Sequence, residues 1–266
     1  MAAQLQRPDD LRLERDARGV LTLTFNRPEL RNAMDEVFMA DLITLLESLR
    51  EEDARALVLT GEGKAFCAGA DIRRMKAAGA ESFDDNLSDA RAIAKLMHTL
   101  DTLPMPTIAK VNGAAMGGGV GIVACCDMAI AADVARFSFS EVKLGIIPGA
   151  ISPYSIRAIG PRNARRYFQT GERFDAATAE KIGLVHEVVA LDELDNAVEA
   201  LLGEMLAGGP RSIRAAKELI FAIAGKPIDE SIREESAQRI ARQRATDEAA
   251  EGLTAFLEKR KASWVP

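Results

Sequence analysis

At 266 residues the chain is long enough to bury a large core, and 48% hydrophobic with 28% charged content is the balance of an ordinary globular protein. A formal charge of −6 argues against nucleic acid as a partner, and no run approaches the ~18 apolar residues of a membrane span, so neither nucleic acid nor membrane is expected. Three cysteines (Cys67, Cys125, Cys126) make no disulfide framework, and the polar first ten residues hold no apolar signal core, so a cytoplasmic location is expected.

The chain opens with two stretches of strand periodicity, 11–15 and 20–25, joined by a hairpin turn at Asp16-Ala17-Arg18-Gly19. Residues 35–52 carry Val37, Leu42, Leu45, Leu46 and Leu49 at helical spacing, with Asp35 placed to cap the first turn. A short strand at 55–60 ends at Gly61, and a helix over 84–103 is stopped by Pro104 and Pro106. The β-branched run 106–111 reads as a strand, the apolar run 120–126 as a helix, and 127–132 as a further strand. Beyond Gly160 the strand signal fades except at 184–188. Residues 191–206, 212–224 and 230–261 read as helices, parted by Gly208-Gly209-Pro210 and Gly225-Lys226-Pro227. This order predicts an α/β core over residues 1–200, holding the site, and a helical region over 201–266. Repeated β-β-α groups point to a stacked or spiral sheet rather than one doubly wound sheet.

Between the strand at 106–111 and the helix that follows lies Asn112-Gly113-Ala114-Ala115-Met116-Gly117-Gly118-Gly119-Val120-Gly121. Glycines where a strand becomes a helix let a ligand approach N–H groups that have no intrahelical partner and that sit at the helix's positive end. Such donors suit a developing oxyanion. Glu141, 20 residues after Gly121, supplies a carboxylate that can move protons. Counting from Gly117 puts Ile122 where the last glycine of a dinucleotide fingerprint belongs, and no Walker lysine follows. No GxSxG, HExxH or SxxK is present. His98 and His186 read as structural, and two histidines without paired cysteines leave no good metal ligands, so no metal is expected. Catalysis falls to carboxylates and backbone dipoles.

Four segments share a further pattern: Asn26-Arg27-Pro28-Glu29-Leu30-Arg31-Asn32-Ala33; Gly61-Glu62-Gly63-Lys64-Ala65-Phe66-Cys67-Ala68-Gly69-Ala70-Asp71-Ile72; the glycine turn through Cys126-Asp127; and Glu141 through Leu144-Gly145-Ile146-Ile147-Pro148-Gly149. In this order, and with Glu251 to Arg260 near the end, they resemble the enoyl-CoA hydratase/isomerase (crotonase) family over essentially the whole chain. The resemblance implies a crotonase-like (ClpP/crotonase) α/β spiral of β-β-α repeats with a helical C-terminal trimerisation region. It also implies a homotrimer, often paired as a hexamer, acting on an acyl-CoA substrate with no cofactor beyond that coenzyme A. Position by position it places the backbone N–H groups of Ala70 and Gly118 in an oxyanion hole. It lines the coenzyme with Ala68, Ala70, Asp71 and Ile72, and offers Arg27, Lys64 and Arg73 to the phosphates. Phe256 and Lys259 match positions that close the site, commonly from a neighbouring subunit. A solvated surface charge is an equal reading for each basic residue, as is helix packing for Phe256.

One departure matters. Hydratases of this family commonly use two glutamates; the second matches Glu141, but the position of the first holds Gly121. One carboxylate can activate water and return a proton to the α-carbon, or carry a proton between the α and γ carbons, so hydration and double-bond isomerisation both stay open, as do other thioester-enolate reactions of the family, such as decarboxylation, and non-catalytic acyl-CoA binding. The stretches 119–127 and 140–154 resemble the methylglutaconyl-CoA hydratase branch of leucine breakdown, whose substrate brings its own carboxylate. Arg157 is the cation nearest in sequence to Pro153-Tyr154 that could meet it.

Overall fold

A computed structural model describes residues 5–71 and 82–266. They form two compact units, one from the chain up to Leu103 together with Thr107–Val198, the other from Pro104–Pro106 and Glu199–Pro266.

The first unit is built on two sheets. The larger takes β1 (Leu11–Arg15), β2 (Val20–Phe25), β3 (Ala56–Gly61), β5 (Thr107–Val111), β7 (Met128–Ala132) and β10 (Glu187–Val189), in the spatial order β1-β2-β3-β5-β7-β10. The smaller takes β4 (Ala65–Cys67), β6 (Ala114–Met116), β8 (Arg136–Ser138) and β9 (Phe174–Asp175) in that order. Among the described residues only β1–β2 and β8–β9 pair antiparallel. β2, β3, β5, β7 and β10 run parallel, as do β4, β6 and β8. Each of the steps β3→β4, β5→β6 and β7→β8 leaves the larger sheet for the smaller, so successive β-β-α turns stack as the spiral expected from the sequence.

Helices α1 (Glu36–Ser48), α2 (Phe83–Asp101), α3 (Gly118–Cys125), α4 (Ser152–Thr170) and α5 (Ala176–Lys181) complete this unit. Asp35 caps α1 as expected, its side chain accepting from the Phe38 N–H at 2.9 Å. All six residues of β3 are buried, the mark of a parallel strand covered on both faces. Phe25 meets Phe38 edge-on with ring centroids 5.6 Å apart and Phe66 at 5.7 Å, and all three rings are fully buried.

Two features of this unit are not visible in the sequence. The strands of the smaller sheet escape periodicity because they are two or three residues long. Helix α4 also goes unread in the sequence: it is polar overall, and Gly160 (φ 73°) followed by Pro161 kinks it in a way that reads as a loop.

After α6 (Leu194–Ala207), the second unit comprises α7 (Pro210–Ile223), α8 (Glu230–Arg244) and α9 (Asp247–Glu258). The single helix expected over 230–261 is broken after Arg244, where Thr246 caps α9 by accepting from the Ala249 N–H at 3.2 Å. Glu248, buried on α9, caps α7 across the unit. It accepts from the Arg211 N–H at 2.9 Å, the Ser212 N–H at 2.7 Å and the Ser212 hydroxyl at 2.7 Å. Burial alone would raise the Glu248 pKa, but these bonds win and lower it. Lys217, also buried, donates to the Met105 carbonyl at 3.3 Å and ties the Pro104–Pro106 segment to α7.

Candidate active site

Three loops of the first unit converge around the start of α3. The loop after β2 is pinned by Asn32, fully buried at φ 57°. Its Oδ1 accepts from the Arg27 N–H at 2.9 Å, and its Nδ2 donates to the Ala65 carbonyl at 2.8 Å. Thus fixed, this loop holds the segment after β4: the Ala68 N–H donates to the Arg31 carbonyl at 3.0 Å. The Met34 N–H donates to the Gly69 carbonyl at 2.8 Å, and the Asp71 N–H to the Met34 carbonyl at 2.9 Å. Met34 therefore makes a one-residue parallel bridge to Ala70. In such a bridge the partner's flanking groups do the bonding, so the N–H of Ala70 itself faces the other way. Among the described residues it has no acceptor.

On that other side stands the start of α3. A Cβ added to Gly69 would lie 3.4 Å from the Gly118 nitrogen, so the two segments are in contact. Gly118 is the first residue of α3, and its N–H has no intrahelical acceptor. Close approach is what the glycines permit here: a Cβ on Gly119 would fall 2.3 Å from the Cys67 carbonyl oxygen. Gly117 turns the chain at φ 49° and ψ −117°, a conformation L side chains rarely adopt, while its N–H donates to the Ser138 carbonyl at 2.9 Å.

Glu141 completes the arrangement. It sits on the short turn Ser140–Leu144 after β8, behind Phe139, whose fully buried ring packs on Phe168 at 4.7 Å. A Cβ on Gly117 would lie 3.2 Å from Glu141 Oε1, which brings the carboxylate against the glycine turn. Oε2 is buried with no hydrogen-bond partner among the described residues. Burial pushes the Glu141 pKa up, with its own backbone N–H pulling weakly the other way. A half-buried, unpaired acid beside two outward-facing N–H donors is equipped to exchange protons with something that builds negative charge on oxygen.

The other predicted residues fall into three groups. Ala68 and Asp71 are partly exposed beside Ala70, and Lys64 is exposed on the turn before β4; Ile72 and Arg73 lie outside the described residues. Phe256 (81% exposed) and Lys259, which ends α9 at φ 55°, belong to the second unit. Arg27 is a correction. It is buried, pairs with Asp35 at 2.9 Å and Asp10 at 3.5 Å, donates to the Ala33 carbonyl at 3.1 Å, and lies 5.7 Å over the Phe38 ring. Its charge is used inside the protein, not offered to a phosphate. Arg157 likewise is paired with the buried Asp101, one contact being 3.3 Å, and stacks over Tyr154 at 5.6 Å. Its charge is already met.

Sequence reading missed Met34, whose bridge aims the Ala70 N–H, and the strained Gly117. A run of three glycines hinted at the second; nothing local hinted at the first. Among the described residues no group of three or more His, Cys, Asp or Glu side chains is placed to hold a metal, and no helix is long and apolar enough to cross a membrane. Burial pushes the Cys67 thiol up to about 12, too high for a thiolate nucleophile.

A profile of the enoyl-CoA hydratase/isomerase family matches residues 15–265. A crotonyl-CoA hydratase from Syntrophomonas wolfei is 34% identical over 266 residues, covering 97% of this chain and 98% of its own. An enoyl-CoA isomerase/hydratase from Mycosarcoma maydis is 33% identical over 254 residues, covering 91% of each. The crystal structure of an enoyl-CoA hydratase from Shewanella pealeana superposes with a TM-score of 0.92 at 40% identity, covering 97% of both chains.

Proposed function

The chain belongs to the enoyl-CoA hydratase/isomerase family, and from that premise we propose that it hydrates a branched 2-enoyl-CoA thioester reversibly, with Glu141 as its acid/base group. The observation that carries this is the half-buried Glu141 carboxylate, its Oε2 without a partner among the described residues, against the glycine turn that starts α3. The thioester carbonyl oxygen accepts from the N–H groups of Ala70 and Gly118. Glu141 takes a proton from water as the water oxygen bonds to the β-carbon, and the double-bond electrons shift to give the thioester enolate. The same carboxyl group returns its proton to the α-carbon, the carbonyl re-forms, and the net change is addition of one water. Losing one donor of such an oxyanion pair costs ~3–4 kcal/mol of transition-state stabilisation. In this reading no cofactor enters beyond the coenzyme A of the substrate, and the exposed Lys64 offers a cation to its phosphates.

A methylglutaconyl-CoA-like substrate, and with it a place in leucine degradation, fits a site with one carboxylate because the acyl group brings a second. The test compares 3-methylglutaconyl-CoA with an uncharged branched enoyl-CoA of equal size. A kcat/KM at least ~10-fold higher for the first supports the substrate carboxylate as part of the chemistry; equal values remove it. Gly121 also favours a second reading, isomerisation of a 3-enoyl-CoA through Glu141, which needs a single base. That reading predicts transfer of the α-proton to the γ-carbon with no solvent oxygen in the product.

We also infer a homotrimer, or a hexamer of paired trimers, in the cytoplasm. Supporting this are the exposed apolar residues of the helical unit: Ile220 (67%), Ile228 (88%), Leu253 (63%), Phe256 and Leu257. In such an assembly Phe256 and Lys259 would reach a neighbour's site. Light scattering that gives a monomer or a dimer rejects the assembly.

A further inference from the structure

Gly117 immediately precedes α3, and Gly121 lies in its first turn. What they face differs. The Cβ direction of Gly117 points at Glu141 Oε1, whereas a Cβ on Gly121 would strike Ile151 Cγ2 at 2.4 Å and Ile151 Cβ at 2.9 Å, with Met97 Sδ at 3.2 Å. Ile151 is 3% exposed, and Met97 is fully buried on α2. Ile151 is β-branched, so its Cγ2 cannot swing aside as the far end of a long side chain would. It ends the loop that runs from the Glu141 turn to α4, with its carbonyl accepting from the Ser155 N–H at 3.0 Å. The space a side chain at 121 would need is thus already filled with hydrocarbon, four residues along the chain from the glycine that Glu141 lies against.

We propose that Ile151 is a specificity-determining residue: it occupies the place of a second carboxylate, holds position 121 to glycine, and confines the site's acid/base chemistry to Glu141. This rests on Glu141 as the acid/base group and adds the physical reason why it acts without a partner. The sequence shows only that Gly121 carries no carboxylate. The structure adds that a carboxylate could not be put there without also removing Ile151.

A double-mutant cycle tests this. Gly121→Ala overpacks the contact, and its Tm should fall by about 5 °C. Gly121→Ala in an Ile151→Gly background should fall by much less, because both clashing carbons are gone. Equal falls in the two backgrounds, or no fall in either, overturn the packing claim. For function, Gly121→Glu/Ile151→Gly is compared with Ile151→Gly on crotonyl-CoA across pH. The expected result is ~10-fold or more faster hydration and a second ionisation in the kcat profile, neither of which a purely structural Ile151 would produce. A folded double variant with the rate and single ionisation of Ile151→Gly overturns the specificity claim. Failure of the underlying reading looks different. Glu141→Gln would then keep full turnover, while the stability cycle would be unaffected.

Discussion

Two charged residues on the loops that follow β2 and β8, Arg27 buried and Glu141 half-buried, are treated in opposite ways. Arg27 is surrounded by partners: two carboxylates, a carbonyl and an aromatic face. Glu141 has none for its Oε2 among the described residues. A charge removed from water costs free energy unless it is paired, so an unpaired one persists only where the fold is held together by other contacts. Those contacts are present around Glu141: the packed Phe139, and a glycine turn whose N–H is tied to β8. The partnered charge builds the frame that aims the Ala70 N–H, and the unpartnered one is left free for chemistry.

The largest effect that would sharpen this contrast is on rate. Glu141→Gln removes the proton carrier and keeps the shape, and steady-state turnover should fall by ~10²–10⁴-fold. Arg27→Ala should do the reverse. Losing the buried cation should cost about 1–3 kcal/mol by urea unfolding, because Arg7 still pairs with Asp35 and Asp10, while KM for the CoA thioester changes less than ~2-fold in the folded fraction. A KM rise of ~10-fold without loss of stability would return Arg27 to the phosphates.

The two charges also differ in their pH behaviour. Because the folded-state pKa of Glu141 is raised, its burial costs nothing below the ordinary carboxylate range. The penalty grows as pH rises through that range to the raised value, and persists above it. Glu141→Gln should therefore have a higher Tm than the parent at neutral pH, with the gap closing in acid, and the acid limb of kcat/KM in the parent should lie above an ordinary glutamate's. Asp35 goes the other way. Burial works against its charge, but the Arg7 side chain, the Phe38 N–H and Arg27 bring its pKa down to about 2. Its stabilisation is in place above an ordinary aspartate pKa and is lost as pH falls toward 2, a loss that an Asp35→Asn variant should not show. The smallest effect is expected at exposed Lys64. Lys64→Ala should raise KM by ~2–5-fold in low salt, and by less as salt screens the contact.

Much of this arrangement was legible in the chain because it is local. Alternation at 11–15 and 20–25, Asp35 ahead of an amphipathic run, and a triple glycine between strand and helix each report on their own few residues. Glu141 and Gly118 were legible for the same reason, as parts of short motifs. What stayed hidden depends on distance. Arg27 looks like a surface cation until Asp10 and Asp35 are seen around it, and Ile151 means nothing until α3 brings Gly121 against it. The strands of the smaller sheet are too short to carry a period, and the Gly160-Pro161 pair disguises α4. The Met34–Ala70 bridge is a single residue long and has no sequence signal at all.

The most direct measurement is turnover in ¹⁸O-labelled water with 3-methylglutaconyl-CoA and crotonyl-CoA, run on the parent protein and on Glu141→Gln and read by mass spectrometry. The account predicts labelled hydroxyacyl-CoA from the parent, faster with the dicarboxylic substrate, and its near-disappearance in the variant. Labelled product formed equally well by Glu141→Gln would contradict it.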